Sequence, residues 1–184
     1  ERGHQVEVLT GKPNYPKGDY FEGYSWKNLS EEKIQGVKVH RANLILRKKG
    51  TGLRLFLNYF SFVFFAFFKI FKLKRTFDKV LIYAPSPITV GILGVVAAKR
   101  FSCKSYLWVH DLWPESVRVA GGIKSSIALG LVNKMTKLIY RFTDLLLVQS
   151  PEFKNYILNQ GIVESKIIYY PYYAEDFYKV VEKD

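Results

Sequence analysis

The sequence predicts an α/β fold built on a doubly wound parallel sheet, and three observations lead to this class. Short β-rich segments alternate with helical segments along the whole chain. Several strand segments, such as residues 80–83 and 145–148, are apolar on both faces, which is typical of a parallel sheet covered by helices on both sides. A length of 184 residues allows one domain with a sizeable core, and not two.

The first half of the chain begins with a strand and continues into a loop and a long helix. Val6 and Val8 alternate with polar neighbours, as in a strand with one buried face. The segment after this strand is rich in Gly, Pro, Lys and Asn, a composition that predicts a surface loop. In chain order we predict a strand at 5–10, the loop at 11–23, a strand at 37–43 and a helix from 51 or 52 to about 74.

The second half alternates strands and helices with clear boundary signals. Ser150, Pro151 and Glu152 combine a hydroxyl cap, a proline in the first helical position and an acid in the first turn. Gly91 and Gly94 allow their helix to pack close to the sheet. The predicted elements are strands at 80–83, 105–109, 145–148 and 166–170, and helices at 89–100, 126–142 and 151–161.

The net charge limits the classes of partner. Lys and Arg number 28 against 16 Asp and Glu, and the resulting formal charge of +12 favours nucleic acid, anionic lipid headgroups or phosphate-bearing substrates. The basic residues are spread along the chain without a nucleic-acid-binding motif, so we expect no nucleic-acid partner. No glycine-rich phosphate fingerprint follows a strand, so we expect no resident nucleotide cofactor.

The single cysteine and the first residue add two expectations. One thiol, Cys103, excludes an intramolecular disulfide and any multi-thiolate metal site. Its place beside an apolar strand predicts a buried, inert thiol in a reducing cytoplasm. The chain begins at Glu1 without a charged and then apolar leader, so we expect no secretion signal and a fragment of a longer protein.

Ligands of an open α/β sheet bind in the crevice at the carboxyl ends of its strands, so the loops at that edge are the candidate site. Three such loops are predicted, at residues 11–23, 84–87 and 110–116. The first holds Asn14, Tyr15 and Lys17, whose amide, ring and ammonium suit a carbohydrate or a pyrophosphate. The second holds Ser86, which we expect to contact substrate or to cap the following helix. Both loops are also compatible with a structural role.

The third loop is the densest cluster of polar groups in the chain. His110, Asp111 and Glu115 place an imidazole and two carboxylates directly after a predicted strand. The acids can hydrogen-bond sugar hydroxyls while Trp113 stacks on a sugar face. The alternative is that Asp111 caps the following turn and Pro114 stiffens it.

The helix predicted after residue 51 is apolar almost all round in its middle and basic at both ends. Its longest uncharged run, 55–68, falls short of the ~20 residues that cross a bilayer. A Phe-rich helix flanked by Lys and Arg suits the membrane interface, although packing on the sheet is the alternative. The residues expected at the membrane are Arg54, Phe64, Phe65, Phe68, Lys69, Lys72, Lys74 and Arg75.

Several motifs, in this order and spacing, resemble the family 4 (group 1) glycosyltransferases. The resemblance extends over nearly the whole chain and is nearest to the members of O-antigen and capsule synthesis, including the N-acetyl-fucosaminyl transferases. The segments that carry it are ERGHQVEVLTGKPNYPKG at 1–18, YAPSP at 83–87, HDLWPES at 110–116, Ser150 and GIV at 161–163.

The resemblance implies the N-terminal half of a GT-B fold, in which two Rossmann-like domains form a cleft. Residues 1–170 would be the acceptor-side domain without its first strand and most of its first helix. Residues 171–184 would start the crossover to a donor-binding domain, although the chain reads PYY where the family usually has Pro-Asn-Gly. The resemblance also implies transfer from a nucleotide-sugar with retention of configuration, without a cofactor or a required metal.

The resemblance also implies roles for residues of the third loop. His110 falls where many members place a histidine that contacts the donor sugar near the reacting carbon. The following aspartate is the steadier feature of the O-antigen subset, so Asp111 is the first catalytic candidate and His110 the second. Glu115 would shape the loop. Because the leaving phosphate can take the acceptor proton, Asp111 is expected to hold a hydroxyl in position.

The resulting hypothesis is a cytoplasmic glycosyltransferase docked peripherally on the anionic surface of the bacterial inner membrane. It would move a sugar of the UDP-N-acetylhexosamine type to a polyprenyl-diphosphate-linked saccharide. The chain alone is expected to be inactive, because the domain that binds most of the donor is absent. Two alternatives stay open: a UDP-sugar 2-epimerase of the same architecture, and a non-catalytic module that binds a lipid or a partner.

Overall fold

A computed structural model describes residues 3–74, 76–120 and 125–173. Its strands are β1 (Glu7–Gly11), β2 (Glu31–Ile34), β3 (Val37–Ala42), β4 (Lys79–Ala84), β5 (Lys104–Val109), β6 (Leu145–Val148) and β7 (Ile167–Tyr169). Its helices are α1 (Gly52–Lys72), α2 (Val90–Phe101), α3 (Glu115–Ala120), α4 (Ser126–Phe142) and α5 (Pro151–Asn159). Arg75 and most of the predicted crossover segment 171–184 lie outside the described residues.

The strands form two sheets, one with the order β1-β3-β2 and one with the order β4-β5-β6-β7. Every strand pair is parallel except β2 with β3. Helices or longer segments connect the parallel strands, and the α/β, Rossmann-like class predicted from the sequence is confirmed.

The strand β2 was missed by the sequence analysis. It reads Glu-Glu-Lys-Ile, too charged and too short to register as a strand. The turn to β3 is made by Gln35 and Gly36, both with positive φ (49° and 84°), as in the tight turns that favour hairpins. Side-chain bonds to β3 then hold it in place: the Glu31 carboxylate lies 3.0 Å from Nδ1 of the buried His40.

The main core lies between the four-stranded sheet and the helices on one of its faces. Ile82, Leu107 and Leu146 from three neighbouring strands pack there with Ile139 of α4 and Ile157 of α5. The sequence predicts helices on both faces of this sheet, but within the described ranges they cover only the face that carries the main core. On the opposite face Leu81 is 63% exposed and Tyr83 is 60% exposed.

The helix α2 lies close against β4, as its glycines predict. A Cβ atom built at Gly94 would lie 2.1 Å from Cδ1 and Cγ1 of Ile82, whose side chain is buried in the core. A Cβ atom at Gly91 would lie 2.4 Å from Cγ2 of Ile139. Both glycines are therefore required by packing rather than by backbone conformation.

We expect Gly94→Ala to lower the free energy of unfolding by about 1–3 kcal/mol, because the added methyl group overpacks the contact with Ile82. The matched control is Gly130→Ala in α4, where a Cβ atom meets nothing within 4 Å. There the lower backbone entropy of alanine should stabilise the helix by about 0.5–1 kcal/mol. Urea unfolding of both variants measures the difference, and a loss at Gly130 equal to that at Gly94 would contradict the packing argument.

Candidate functional site

The three predicted loops follow β1, β4 and β5 at their carboxyl ends. Each contains one cis peptide bond, at Tyr15–Pro16, Ser86–Pro87 and Trp113–Pro114. All three loops thus lie at the strand ends where α/β sheets bind their ligands. Around these loops the structure forms two clusters of functional side chains, one at β5 and one at β1.

The cluster at β5 is an aromatic enclosure around His110. The centroid of its imidazole lies 4.5 Å from the ring centroids of both Tyr83 and Trp108, and 5.3 Å from that of Tyr172. The parallel register of β4 and β5 pairs Tyr83 with Trp108, and His110 continues the same face two residues later. Rings arranged in this way offer flat apolar faces of the kind on which sugars stack.

The imidazole of His110 has one engaged nitrogen and one free nitrogen. Nδ1 is hydrogen-bonded to the hydroxyl of Tyr172. Nε2 is buried and has no hydrogen-bond partner among the described residues. Burial lowers the pKa of His110, so the ring is neutral at pH 7. When the Tyr172 hydroxyl donates to Nδ1, the imidazole proton lies on Nε2, which then has a hydrogen to donate.

Asp111 is partly buried and is held by the loop itself. The hydroxyl of Ser116 donates to Oδ1 of Asp111, and it lies 2.8 Å from the carbonyl oxygen of Leu112. This contact fits the structural alternative for Asp111. The second carboxylate oxygen makes no hydrogen bond within the described residues, so Asp111 also keeps one acceptor for a ligand hydroxyl.

The other two candidates of this loop have different surroundings. Glu115 begins α3 and forms an ion pair with Arg118 of the same helix at 2.7 Å. The side chain of Trp113 is only 8% exposed and belongs to the main core. It therefore presents no open face to a sugar, and the stacking role expected for Trp113 is corrected.

The cluster at β1 is formed by loop 11–23. The side chain of Asn14 is 8% exposed, donates from Nδ2 to the Lys12 carbonyl at 3.0 Å and leaves Oδ1 buried without a partner. The ring of Tyr15 is 71% exposed and lies 5.3 Å from the guanidinium of Arg47. The Lys17 ammonium lies 5.3 Å above the ring of Phe21. Tyr15 and Lys17 are accessible to a ligand, whereas the side chain of Asn14 is buried together with its unpartnered Oδ1.

Lys12 is a buried residue of this cluster that sequence reasoning missed. Its ammonium donates to the carbonyl oxygens of Ser25 at 2.6 Å and Trp26 at 3.0 Å. Burial, together with the charge of Lys69, lowers the pKa of Lys12. Its position directly after a strand was the only signal, because a lysine in a surface loop is ordinarily solvated. The contacts make Lys12 an anchor for loop 11–23.

Ser86 is exposed in the short loop after β4. A helix capped by Ser86 would begin at residue 87, but α2 begins at Val90. Its N-cap residue is Thr89, which makes no side-chain cap hydrogen bond. The expected capping role of Ser86 is therefore corrected, and its hydroxyl stays open to a ligand.

The helix α1 exposes most of the residues expected at a membrane. Phe64 and Phe68 are exposed, together with the basic residues Arg54, Lys72 and Lys74. Phe65 instead packs edge-on against Trp26 at 5.2 Å, and the Lys69 ammonium donates to the carbonyl oxygen of Ser30. Phe65 and Lys69 are thus turned partly towards the domain.

By length and composition, α1 is the one helix of the described residues that could cross a membrane, a property shared by core helices of soluble proteins. Ala66 and Ile70 of α1 are buried against Ala42 of β3 and Leu93 of α2. The Asn58 amide donates to the carbonyl of Ile45 at 2.7 Å. A helix held on one side by these contacts presents only its opposite side to a membrane.

Comparison with known proteins agrees with the resemblance seen in the motifs. The sequence profile of the family described as "Glycosyl transferase 4-like domain" matches residues 1–172, which include all three loops. The chain is also 24% identical over 179 residues to the "Putative colanic acid biosynthesis glycosyl transferase WcaI" of Escherichia coli (strain K12). That alignment covers 95% of this chain and 43% of WcaI, so the chain spans less than half the length of this curated relative.

Proposed function

Because the chain belongs to the glycosyl transferase 4-like domain family, we propose that it is the acceptor-side half of a retaining GT-B glycosyltransferase of cell-surface polysaccharide synthesis. The likeness to WcaI, whose name refers to colanic acid biosynthesis, supports the pathway class, and we further propose the O-antigen or capsule type, similar to the N-acetyl-fucosaminyl transferases. One observation carries the site: the free Nε2 of a neutral His110, set among aromatic rings beside Asp111 at the end of β5.

The proposed role of each residue follows from the hydrogen bonds that its side chain can make. His110 donates from Nε2 to an oxygen of the donor sugar, and Tyr83 and Trp108 provide the apolar wall beside it. The free oxygen of Asp111 accepts from the acceptor hydroxyl and holds it in line with the reacting carbon. The leaving phosphate of the UDP-sugar takes the proton, so the chain needs no separate general base.

The proposed acceptor is a saccharide linked to a polyprenyl diphosphate, at the cytoplasmic face of the inner membrane. The formal charge of +12 favours its diphosphate and the anionic headgroups around it. Loop 11–23, with the exposed Tyr15 and Lys17, lies at the edge where this acceptor would bind. The exposed side of α1 would hold the domain on the membrane surface.

The test uses the complete protein that contains this domain, labelled UDP-N-acetylhexosamines and bacterial membranes. We expect label in the lipid extract, and loss of at least 90% of it in Asp111→Asn, a change that keeps size and removes the charge. Asp78→Asn is the matched control, because Asp78 is exposed at the opposite, amino end of β4, and it should transfer label normally.

Two outcomes would overturn the proposal. Conversion of the UDP-sugar to another UDP-sugar, with no label in the lipid, would identify a 2-epimerase. Turnover of a nucleotide-sugar by the 184-residue chain alone would contradict its assignment as half of a two-domain site.

A further inference from the structure

The exposed apolar surface of the domain does not stop at α1. Along α1 the exposed rings form one row, with neighbouring centroids 4.3–5.0 Å apart at Phe56–Phe60, Phe64–Phe68 and Phe67–Phe71. The helix α4 exposes a second apolar row. Its members are Ile127, Leu131, Leu138 and Phe142.

The helix α2 lies between α1 and α4 and joins the two rows. At its end, the Lys99 ammonium lies 4.9 Å from the centroid of the Phe142 ring of α4. The guanidinium of the next residue, Arg100, lies 5.6 Å from the centroid of the Phe71 ring of α1. The two exposed rows are therefore parts of one surface on one side of the sheets, and we call α1, α2 and α4 together the helical layer.

The charge of the helical layer is of one sign. None of the 16 acidic residues of the chain lies in α1, α2 or α4, although these helices hold 21, 12 and 17 residues. Their charged residues are all basic: Arg54, Lys69, Lys72, Lys99, Arg100, Lys134, Lys137 and Arg141. A surface that is apolar and purely basic is complementary to an anionic bilayer, with hydrocarbon below and phosphate at the level of the basic groups.

An open apolar groove of about 450 Å³ runs between α2 and α4 within this layer. Val95 and Val96 form the α2 wall, and Leu131, Met135 and Leu138 form the α4 wall. Its one charged lining residue is Lys134, whose exposed side chain can reach outward while its methylene stem covers apolar surface.

We propose that the whole helical layer lies on an anionic membrane, and that the groove between α2 and α4 admits a hydrocarbon chain of an anionic phospholipid. Lys134 and Lys137 then bind the phosphate of that lipid, and Phe142 and Leu131 enter the hydrocarbon. This inference rests on the membrane docking in the proposed function, but it does not depend on the transfer reaction. It assigns a contact to α4 that the sequence had given to α1 alone.

The test places a polarity-sensitive fluorophore on single cysteines of the 184-residue chain, in a Cys103→Ser background. Leu131→Cys probes the groove, Phe64→Cys probes α1, and Val163→Cys is the control, which is exposed before β7 and outside α1, α2 and α4. The vesicles contain phosphatidylcholine with or without phosphatidylglycerol, and the quencher is bromine on the acyl chains. We expect quenching at positions 64 and 131, and none at 163, with the phosphatidylglycerol vesicles.

Charge variants separate the lipid headgroup from a general apolar attraction. Lys134→Gln with Lys137→Gln should weaken binding to the phosphatidylglycerol vesicles roughly 30-fold, at about 1 kcal/mol for each basic residue. Circular dichroism checks that the variant keeps the helices of the parent chain.

Each remaining outcome overturns the inference in a distinguishable way. Quenching at position 64 alone would leave α1 docking in place and remove α4 and the groove from the membrane surface. Quenching at neither position would overturn the docking itself, without bearing on sugar transfer. A blue shift of the fluorophore at position 131 in the absence of vesicles, together with a dimer in sedimentation, would assign the groove to a second copy of the chain.

Discussion

Replacing His110 by Asn in the complete protein is expected to lower kcat about 100- to 1,000-fold, with a much smaller change in KM for the donor. The loss of one hydrogen-bond donor aimed at a reacting group has an effect of this size. Asn places its amide near the position of Nδ1, where it can still meet the Tyr172 hydroxyl, but it does not reach the position of Nε2. The change therefore removes the ring nitrogen of His110 that has no hydrogen-bond partner among the described residues.

The matched variant is His110→Gln, whose longer side chain places an N–H donor near the position of Nε2. We expect it to recover at least tenfold of the kcat lost in His110→Asn. Steady-state kinetics with a labelled nucleotide-sugar measure both variants. Equal losses in the two would mean that His110 serves only to fill the aromatic enclosure, and a selective rise of KM would mean that it binds the donor without acting on the transition state.

The position of the candidate site could be predicted from the sequence because that position depends on the topology of the sheet. The carboxyl ends of parallel strands share an edge, and the strands before residues 84 and 110 were recognisable from their apolar runs. Both ends of α4 and of β6 also agree with the prediction. At α4 the reason is local, because Ser125 caps the helix through a hydrogen bond from the Ala128 amide to its hydroxyl.

The features that could not be predicted from the sequence depend mostly on contacts between distant segments. The short helix α3 lies inside a loop and has too few residues for a periodic pattern. Trp113 has the polar neighbours of a ligand-binding residue, yet its ring faces the core, and local composition carries no information about that direction. Tyr172 reaches His110 across 62 positions of sequence, so no local pattern could have indicated it.

The distribution of charge on the helices was likewise visible in the sequence but uninterpretable without the fold. Acid-free segments separated by strands gain meaning only when α2 is seen to lie between α1 and α4. The formal charge of +12 alone was compatible with anionic lipid headgroups and with phosphate-bearing substrates. The helical layer, on the side opposite the exposed face that carries Leu81, is apolar and carries only basic charges. This combination favours a membrane over a soluble polyanion.

Reversing two charges of α1, Arg54→Glu with Lys72→Glu, is expected to weaken binding of the chain to phosphatidylglycerol vesicles by at least roughly 30-fold. Each basic residue near an anionic membrane contributes about 1 kcal/mol of attraction, and each new carboxylate adds repulsion. Both residues are exposed, so the reversal should leave the fold intact. The measurement is co-flotation with vesicles over a range of lipid concentrations.

The control reverses Lys79 and Lys104, which are exposed at the amino ends of β4 and β5. It changes the net charge by the same amount, but on strands of the sheet and not on α1, α2 or α4. If charge acts only through the total field of the protein, the two double variants will float equally, and α1 then has no special role. If α1 lies on the membrane, the control will lose less binding than the α1 variant, because Lys79 and Lys104 belong to strands and not to the exposed side of α1.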